Sequence, residues 1–510
     1  MGFNIVSIKM PTDFTYRDLR TAVRKRLKIG EFDCQIRQQS LDARNKSRIH
    51  WVLQVLVTSP EIEGAPPKAP AAMSIPRKKR EGCVVIVGSG PAGIFAGLVL
   101  QRAGFRTLLL ERGSEVGARD TAVREFEATG VFDSGDNYAF GEGGAGTFSD
   151  GKLTSRSKHI SLEKRFILEN YVQAGAPDEI LYLAHPHLGT DNLMEITRRL
   201  RNTYQETGGE IMFNTLLEDL VLRGDRVREV VTTRGTLDVS DVIVGCGHSA
   251  YETYRMLMKN GVAFRTKNFA LGSRIEHPQE VINMAQWGRS DLPGVKAAEY
   301  RLSTKPDDGL PVYTFCMCPG GTVVPAAAYK GTNIVNGMSR YQRGGRFANA
   351  ACVAAVSMET LLGREADPLE ALDWLETLEH SFFAEADGYR APFSTIKDFL
   401  NDRISADSVP SSYPMGLLPA PLGALLPETV ARSLKLGLAD FCRKIRGFSD
   451  GVILGLESKT SSPVQVVREK TGLCNGFSNL SVVGEGSGWA GGIISSAADG
   501  IRAALALADE

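Results

Sequence analysis

Residues 83–111, CVVIVGSGPAGIFAGLVLQRAGFRTLLLE, decide the fold of this chain. The apolar run at 83–87 has the composition of a buried strand, and the glycine-rich turn after it opens a helical pattern at 92–103. A second apolar run at 107–110 is typical of another strand. A strand, a helix and a strand in this order predict a βαβ unit with two parallel strands.

The turn inside this unit has the G-x-G-x-x-G spacing of a dinucleotide-binding loop. It consists of Gly88, Ser89, Gly90, Pro91, Ala92 and Gly93. Gly88 would allow the tight turn, Gly90 would let backbone approach a pyrophosphate, and Gly93 would let helix and strand pack closely. The helix N-terminus adds free amides and a partial positive charge. The alternative, a glycine-rich turn without a ligand, is disfavoured by the βαβ context.

Glu111 closes the second strand and indicates which nucleotide the turn would bind. Its carboxylate would accept hydrogen bonds from the two hydroxyls of an adenosine ribose and would repel a 2′-phosphate. The pattern therefore fits FAD or NAD, and NADP poorly. Arg112 follows directly and is predicted to lie beside the same cofactor.

FAD is favoured over NAD because a flavin must be held along its length by distant parts of the chain. Two glycine-rich segments suit this role, GEGGAGTF at 141–148 and GEGSGWAGG at 484–492. The second precedes the final predicted helix, whose first amides would stabilise negative charge near N1 of a reduced flavin. The alternatives are a flexible surface loop and a structural turn. The predicted cofactor contacts in the two segments are Gly143, Gly144, Ala145, Gly146, Thr147, Gly484, Glu485, Trp489, Ala490, Gly491 and Gly492.

A third glycine turn, GCGHSA at 245–250, also follows a strand and precedes a helix. It could be a second fingerprint, of the NADPH type, but no ribose-reading residue follows it in a clean second βα repeat. We expect it to return the chain to the FAD-binding domain, with Gly247 beside the cofactor. NAD(P)H remains a candidate electron donor.

The chain as a whole is predicted to be an α/β protein. The fold class is a Rossmann-type FAD-binding domain, with a parallel sheet and a β-meander, plus a mixed α+β substrate or cap domain and a small N-terminal α/β domain. The predicted bounds are 1–58 for the N-terminal module, 59–81 for a Pro/Ala/Lys-rich linker, 82–264 for the first part of the FAD-binding domain, 265–440 for the substrate domain and 441–510 for the C-terminal part of the FAD-binding domain.

Some elements are predicted in more detail because later inferences depend on them. Strand-like runs at 210–214, 217–222, 227–233 and 236–238 indicate the meander. Helices are predicted at 191–207, with Thr190 or Asp191 as its cap, and at 348–362 and 368–384.

Composition excludes several classes of protein. The 59 Lys and Arg balance the 59 Asp and Glu, so nothing in the overall charge would attract nucleic acid. No apolar stretch approaches the ~20 residues of a membrane span, and no secretory signal is visible, so a cytoplasmic protein is expected. The eight cysteines are scattered, and no metal site is predicted.

On these residues the chain resembles the uncharacterised FAD-utilising dehydrogenase family, which is related to the two-dinucleotide-domain flavoproteins. The segments that carry the resemblance are 36–44, 87–93, 141–153, 247–250, 272–278, 315–321, 457–463 and 484–500. The resemblance implies an FAD-binding domain, a substrate or cap domain and a small linked N-terminal domain, but no particular reaction. The chain departs from the family pattern in two places, with Tyr251-Glu252 in place of Arg-Asp and Trp489 in place of Tyr.

Three residues are candidates for catalysis. Lys152 follows the first glycine segment and Lys459 lies in ESKTSSP at 457–463, so either could face the flavin or an anionic substrate, although surface lysines are the commoner case. His277 is a candidate general acid or base near a strand end. On the same strand, Arg274 and Glu276 share a face, which is also the pattern of a salt-bridged strand end.

Cys316 and Cys318 could form a redox pair, but only one residue separates them. A disulfide across so short a spacing would be strained, and a structural role for the two thiols is favoured.

The leading functional hypothesis is an FAD-dependent oxidoreductase or dehydrogenase that moves a hydride between flavin N5 and an unidentified small organic substrate. A flavin-dependent RNA-modifying enzyme is an alternative, because the helical segment 15–28 is locally basic, although a solvated helix face accounts for this more simply. A non-catalytic FAD-binding protein is a third hypothesis. The sequence indicates no oligomeric state.

Overall fold

The N-terminal module is an antiparallel sheet covered by one helix. The computed structural model describes residues 1–68, 71–77, 81–405 and 409–509. The module comprises β1 (Gly2–Met10), α1 (Tyr16–Leu27), β2 (Asp33–Asp42) and β3 (His50–Ser59). The strand order is β1-β3-β2, and α1 buries Leu19 and Val23. Thr15 and Asp18 form a capping box that fixes where α1 begins.

The predicted βαβ unit opens a parallel sheet. The elements that follow are β4 (Cys83–Val87), α2 (Pro91–Ala103), β5 (Arg106–Leu110), α3 (Val116–Thr129), α4 (Ser161–Gln173), α5 (Gly189–Glu206), β6 (Glu210–Met212), β7 (Leu217–Arg223), β8 (Arg226–Thr232), β9 (Gly235–Asp238) and β10 (Asp241–Val244). The strands β10, β4, β5 and β6 are neighbours in that order and all run parallel. The expected Rossmann-type arrangement is confirmed.

Two details of this region differ from the sequence prediction. β6 is not part of the meander, which consists of β7, β8 and β9 alone, but pairs with β5 in the parallel sheet. Helix α5 begins after Leu188, which offers no side-chain cap. Thr190 instead donates to the Thr147 carbonyl at 2.9 Å, and Asp191 accepts from the Tyr341 amide at 2.8 Å, so both predicted capping residues are used in tertiary contacts.

A second, larger sheet follows. The remaining elements are α6 (Tyr251–Lys259), β11 (Phe264–Thr266), β12 (Phe269–Pro278), α7 (Gln279–Trp287), β13 (Ser303–Thr304), β14 (Val312–Pro325), β15 (Val335–Met338), β16 (Phe347–Val356), α8 (Met358–Leu362), α9 (Pro368–Glu385), β17 (Ala391–Thr395), α10 (Ile396–Leu400), β18 (Leu417–Pro419), α11 (Leu422–Leu425), α12 (Glu428–Lys444), β19 (Val452–Glu457), β20 (Val464–Val466), β21 (Leu480–Val482) and α13 (Ile493–Asp509). The large sheet has the order β13-β14-β16-β12-β19-β17-β18, with β15 added beside β14.

The prediction of a helix at 348–362 is wrong over most of its length. The segment forms β16, a central strand between β14 and β12, and only α8 at its end is helical. Alanine favours a helix intrinsically, but here small side chains are buried on both faces of a central strand, and tertiary packing overrides that preference.

The chain returns to the parallel sheet later than the predicted boundary at residue 440. β19 still belongs to the large sheet, where it pairs with β12 and β17. β21 is the strand that joins the parallel sheet, beside β10. Helix α13 then packs on α2 so closely that a Cβ on Gly500 would lie 2.0 Å from the Ala92 carbonyl oxygen. In the described part of the chain, no helix has the length and apolarity needed to cross a bilayer.

Candidate functional site

The glycine turn after β4 has the geometry that its spacing predicts. Gly88 has φ +94°, and a Cβ there would lie 2.5 Å from the Gly245 carbonyl oxygen. A Cβ on Gly93 would lie 1.8 Å from the Gly88 carbonyl oxygen. Gly90 is the N-cap of α2 without any side-chain cap, and Pro91 occupies the first turn. Among the residues that the structure describes, no side chain caps the start of α2, which is the arrangement that binds phosphate groups.

Glu111 lies at the end of β5 and connects the turn to the loop that follows. Its carboxylate accepts hydrogen bonds from the Ser89 amide and hydroxyl, at 2.9 and 2.5 Å. It also accepts from the amides of Gly113 and Gly141, at 3.0 and 3.2 Å. Four donors thus hold the carboxylate in place beside the turn, where a ribose would meet it and a 2′-phosphate would be repelled.

Arg112 does not point to the turn. Its guanidinium is ion-paired with Glu252 and lies 3.8 Å from the centre of the Phe140 ring. Glu252 also accepts from the Tyr329 hydroxyl. Arg112 therefore joins the end of β5 to α6 through protein contacts, and any role toward a cofactor would be indirect.

The glycine-rich segment 141–148 is an ordered loop, held by an arginine that the sequence analysis missed. The Arg119 guanidinium is fully buried and donates to five backbone carbonyls. Its acceptors are the carbonyls of Asn137, Tyr138, Gly141, Glu142 and Gly144. Because one rigid donor fork binds so many carbonyls, the loop has a fixed shape rather than the mobility of a surface loop.

A signal for Arg119 was present in the sequence. The buried positions of α3 are Val116, Arg119, Val123 and Phe126, which recur at helical spacing. A charged residue on an otherwise apolar helix stripe indicates a buried polar function. Burial lowers the pKa of Arg119 to about 10, which still leaves the guanidinium charged at neutral pH.

Three sequence-distant segments converge at one point. A Cβ on Gly146 would lie 3.2 Å from Ile493 at the start of α13 and 3.8 Å from Pro91 at the start of α2. The N-termini of α2 and α13 therefore meet at the glycine loop. Gly491 and Gly492 are exposed, and a Cβ on either would have no atom within 4 Å among the described residues. The Gly491 and Gly492 amides donate to Ser495 Oγ and to Glu485, so a ligand at this point would meet the amides that follow, from Ile493 onward.

The turn after β10 touches the C-terminal turn and carries a second missed residue. A Cβ on Gly486 would lie 3.0 Å from the Gly247 carbonyl oxygen, so the two turns are in contact. His248 Nδ1 lies 3.1 Å from Glu485 Oε2, while Glu485 Oε1 accepts from the Gly492 amide. His248 Nε2 is buried and has no hydrogen-bond partner among the described residues.

Trp489, another predicted cofactor contact, lies at the surface of the C-terminal turn. Its side chain is 50% exposed, and its indole N–H donates to the Val466 carbonyl at 2.9 Å. The guanidinium groups of Arg265 and Arg468 each lie 5.7 Å from its ring. The indole is therefore fixed beside the C-terminal turn by its N–H and lies near two guanidinium groups.

A cleft opens at the start of α2. Residues that line it include Ser89, Pro91, Glu142, Gly143, Thr147 and Arg201. Glu142 accepts from the Val116 amide at 2.7 Å and lies 3.4 Å from the Arg201 guanidinium. The cleft combines an uncapped helix start with a cation, which suits a pyrophosphate. These features fit FAD: amides and a cation for its phosphates, Glu111 for its ribose, and the open start of α13 for its ring.

Lys152 lies at the end of the glycine loop within a charged cluster. Its ammonium group is 2.6 Å from Asp150, which also binds the Arg343 guanidinium at 2.5 Å, and it donates to the Met317 carbonyl. Burial alone would raise the pKa of Asp150, but the two cations outweigh it and hold that pKa well below its usual range. Asp150 in turn raises the pKa of Lys152, against the effect of burial. Lys152 is thus a fixed cation.

Arg274 does not pair with Glu276, as a salt-bridged strand end would require. Arg274 is ion-paired with Glu457 at 2.6 Å, across β12 and β19. Glu276 accepts from the Ser412 amide and hydroxyl. The strand alternation was right, but the partners come from elsewhere in the chain.

Lys459 belongs to a buried cluster under α6. Its ammonium group lies 2.8 Å from Glu379 and 4.0 Å from the centre of the Tyr251 ring, and it donates to the Tyr251 hydroxyl. Burial lowers the pKa of Lys459, and Glu379 opposes this shift only in part. The ammonium group is directed to these partners rather than to a glycine turn.

His277 is in the core of the large sheet. It is 1% exposed, its Nε2 donates to the Phe448 carbonyl at 2.8 Å, and its ring packs on the Phe448 ring at 4.3 Å. Burial lowers its pKa to about 4, so it is neutral at physiological pH. Its recorded partners belong to this core, so its contacts give no support to the predicted acid–base role. No cluster of three metal-ligating side chains occurs among the described residues.

Comparisons with known proteins agree with this geometry. Residues 81–247 match the "FAD binding domain" family and residues 268–460 match "FAD-dependent protein, C-terminal domain-like". An uncharacterised protein of Clostridium beijerinckii is 40% identical over 429 residues, which cover 82% of this chain and 79% of that protein. The chain belongs to the family of uncharacterised FAD-dependent oxidoreductases, and FAD is its cofactor.

Solved structures give weaker likenesses. A geranylgeranyl bacteriochlorophyll reductase-like protein of Thermoplasma acidophilum is 12% identical with a TM-score of 0.37, covering 84% of this chain and 78% of its own. The amino acid oxidase NikD is 13% identical with a TM-score of 0.37, covering 84% and 94%. The halogenase PltM is 12% identical with a TM-score of 0.39, covering 84% and 69%. Scores this low leave the family assignment to the sequence matches.

Proposed function

We propose that the protein moves a hydride between N5 of its FAD and a small organic substrate. The observation that carries the proposal is the meeting of Pro91, Gly146 and Ile493, which brings the starts of α2 and α13 to one ordered glycine loop. A structural FAD would need to be gripped only at its phosphates. Here, the open start of α13 is also available to stabilise charge on a reduced ring.

The chain's own residues divide the work between binding and proton handling. The uncapped start of α2 binds phosphate, Glu111 reads the ribose, and Arg119 keeps the loop in shape. The carboxylate of Glu485 holds Nδ1–H of His248, which leaves the Nε2 lone pair free to take a proton. The sequence analysis did not single out His248 for this role.

Lys152 and Lys459 act as positioning residues in this proposal. Each ammonium group is bound to a buried carboxylate, Asp150 and Glu379 respectively. Lys152, which is 30% exposed, supplies positive charge at the substrate side of the glycine loop and favours an anionic substrate. NADH, NADPH and small metabolites are the candidate donors.

The test is reduction of the flavin, monitored by stopped-flow absorbance under anaerobic conditions. Purified protein should absorb at about 450 nm and release FAD on denaturation, and one donor class should bleach that absorbance in the millisecond to second range. A colourless protein that releases no FAD would refute the proposal at its base. A yellow protein that no hydride donor reduces, while light reduces it readily, would show a non-catalytic flavin.

A further inference from the structure

Cys316 and Cys318 lie in the most irregular stretch of β14. The pairing of β14 with β16 shifts between Phe315 and Cys318 and again between Cys318 and Gly321, so a bulge stands on either side of Cys318. Cys316 has φ +41°, a left-handed conformation that side chains other than glycine seldom adopt. Bulges and such backbone conformations concentrate at functional sites, where they re-aim side chains.

The two thiols contact each other and a guanidinium. Cys318 Sγ donates to the Cys316 carbonyl at 3.3 Å, and the two thiols are hydrogen-bonded to each other. Arg274 donates to the same carbonyl at 2.7 Å and lies 3.6 Å from Cys318 Sγ. Both cysteines are free in this structure. The two thiols therefore lie beside each other on one irregular strand, next to the same guanidinium.

The buried charged groups around the thiols would be stabilised by one negatively charged sulfur. The cations of the cluster are Arg274, Lys152 and Arg343, and the buried carboxylates that form ion pairs with them among the described residues are Asp150 and Glu457. Glu299 approaches at 3.8 and 3.9 Å but is 38% exposed, so water screens much of its charge. A thiolate at Cys316 would balance the buried excess of positive charge.

The surroundings of the half-buried Cys316 differ from those of three cysteines elsewhere in the chain. Burial raises the pKa of Cys246, Cys352 and Cys474 to about 12, as expected for thiols at which desolvation outweighs any nearby charge. At Cys316 the hydrogen bond from Cys318 outweighs burial and, with Arg274 behind it, lowers the pKa. A pair of thiols with only a structural role would not require the pKa of one to be lowered while the pKa of the other is raised.

A contact connects the thiols to the glycine-rich segment 141–148. Lys152, which follows that segment, donates to the carbonyl of Met317, the residue between the two cysteines. On the other side of the thiols, Arg274 is ion-paired with Glu457 at 2.6 Å. The thiols are therefore linked through Lys152 to the part of the chain that is proposed to hold FAD.

We propose that Cys316 and Cys318 form a dithiol–disulfide couple that exchanges two electrons with the bound FAD. The proposal rests on the proposed function, because it requires a flavin that changes redox state. The earlier objection, that a disulfide across one residue is strained, applies to a structural bridge. For an exchanging couple, strain keeps the bond reducible.

The step balances without a further reagent. In the oxidising direction the Cys316 thiolate and the Cys318 thiol form a sulfur–sulfur bond, and the Cys318 sulfur–hydrogen bond breaks. The two sulfurs lose two electrons, which pass with the Cys318 proton to oxidised FAD and leave it reduced and singly negative. The reverse step opens the disulfide at the expense of reduced FAD.

The test is anaerobic titration of the oxidised holoenzyme with dithionite, counted per FAD. The wild type should take up four electrons, two for the flavin and two for the disulfide, and Cys316→Ser and Cys318→Ser should each take up two. Cys442→Ser, which changes a half-buried cysteine of α12, should behave as wild type. In a second measurement, oxidised wild type denatured without reductant should show two fewer free thiols than its eight cysteines.

The outcomes separate the two proposals. Uptake of two electrons by a wild type that contains FAD, with all thiols free after oxidation, would overturn the dithiol couple and leave the proposed function standing. Protein without FAD would overturn both. If the serine variants failed to fold, the thiol count and electron uptake of the wild type would still decide the matter.

Discussion

Arg119 donates a 2.8 Å hydrogen bond to the carbonyl of Gly144, the residue whose backbone faces Gly90 across the turn. The same guanidinium binds four more carbonyls of the preceding loop. A single side chain on α3 therefore determines how the glycine loop meets the dinucleotide turn.

Replacing Arg119 should unfold the site. In Arg119→Met the carbonyls stay buried without a donor, so we expect a loss of at least about 3 kcal/mol in the free energy of unfolding and protein that retains little FAD. The matched control is Arg124→Met on the same helix, whose surface ion pair with Asp120 is worth less than about 1 kcal/mol. Denaturant unfolding and flavin content measure both variants. Equal stability of the two would refute the role given to Arg119.

Gly90→Asp should separate folding from FAD binding. Gly90 has φ −66° and ψ 180°, which any residue adopts, and aspartate is a better N-cap than glycine by a few tenths of a kcal/mol. The protein should therefore be as stable as wild type. A carboxylate at this point would repel the pyrophosphate, so we expect FAD affinity to fall at least about 100-fold.

The neutral isostere Gly90→Asn supplies the control for Gly90→Asp. It caps the helix equally well without the charge and should bind FAD more tightly than the aspartate variant. Affinity is measured by ultrafiltration against known FAD concentrations. Undiminished affinity in Gly90→Asp would show that phosphate does not lie at the start of α2.

Gly491→Asp tests whether the start of α13 acts on the flavin ring. The position is open, so the side chain fits, and its charge would oppose negative charge on the reduced ring. At about 1 kcal/mol for a charge at a helix start, the two-electron midpoint potential should fall by about 20 mV. Gly491→Asn is the uncharged control and should stay near the wild-type potential. A potential that does not depend on the charge at 491 would place the ring elsewhere.

His277 should make the protein sensitive to acid without affecting FAD. Its pKa is lowered by burial to about 4, whereas the unfolded chain has an ordinary value of about 6.5. Between these values the unfolded state binds the extra proton, so stability falls as pH drops from 6.5 to 4, by up to about 3 kcal/mol. His277→Gln, which keeps a donor for the Phe448 carbonyl, should lose that part of the slope.

The control for His277 is His380→Gln, a change at an exposed histidine of α9 that should preserve the wild-type pH dependence. Unfolding free energies from pH 4 to pH 7 give the slopes for all three proteins. A His277→Gln protein with normal stability but abolished flavin reduction would restore the acid–base role predicted from sequence.

The parts of the fold that could be predicted are those specified by neighbouring residues. β4 has the predicted bounds because five consecutive apolar residues end at a glycine turn, and Glu111 is where a βαβ fingerprint requires it. β16 was missed because its alanines have a helical preference that only burial between two strands reverses. That burial depends on residues far away in the chain.

The site itself was only partly predictable for the same reason. The glycine segments are visible as local composition, but their convergence is a tertiary fact, as is the pairing of Arg274 with Glu457 rather than with Glu276 on its own strand. Arg119 occupies a position on the apolar stripe of α3, but arginines are mostly exposed, so its burial becomes evident only from the loop that packs on that helix.

The packing of α13 on α2 also constrains how the protein is made. Helix α2 is buried on nearly every face. Helix α13, which covers one of those faces, is synthesised only after the large sheet. Until then, a nascent chain would expose the apolar face of α2 that α13 later covers. It would also lack the start of α13, and so could not bind both the phosphates and the ring of a flavin. Cofactor capture is thus a late event in biogenesis, and chains stalled before β21 should depend on chaperones that shield this helix.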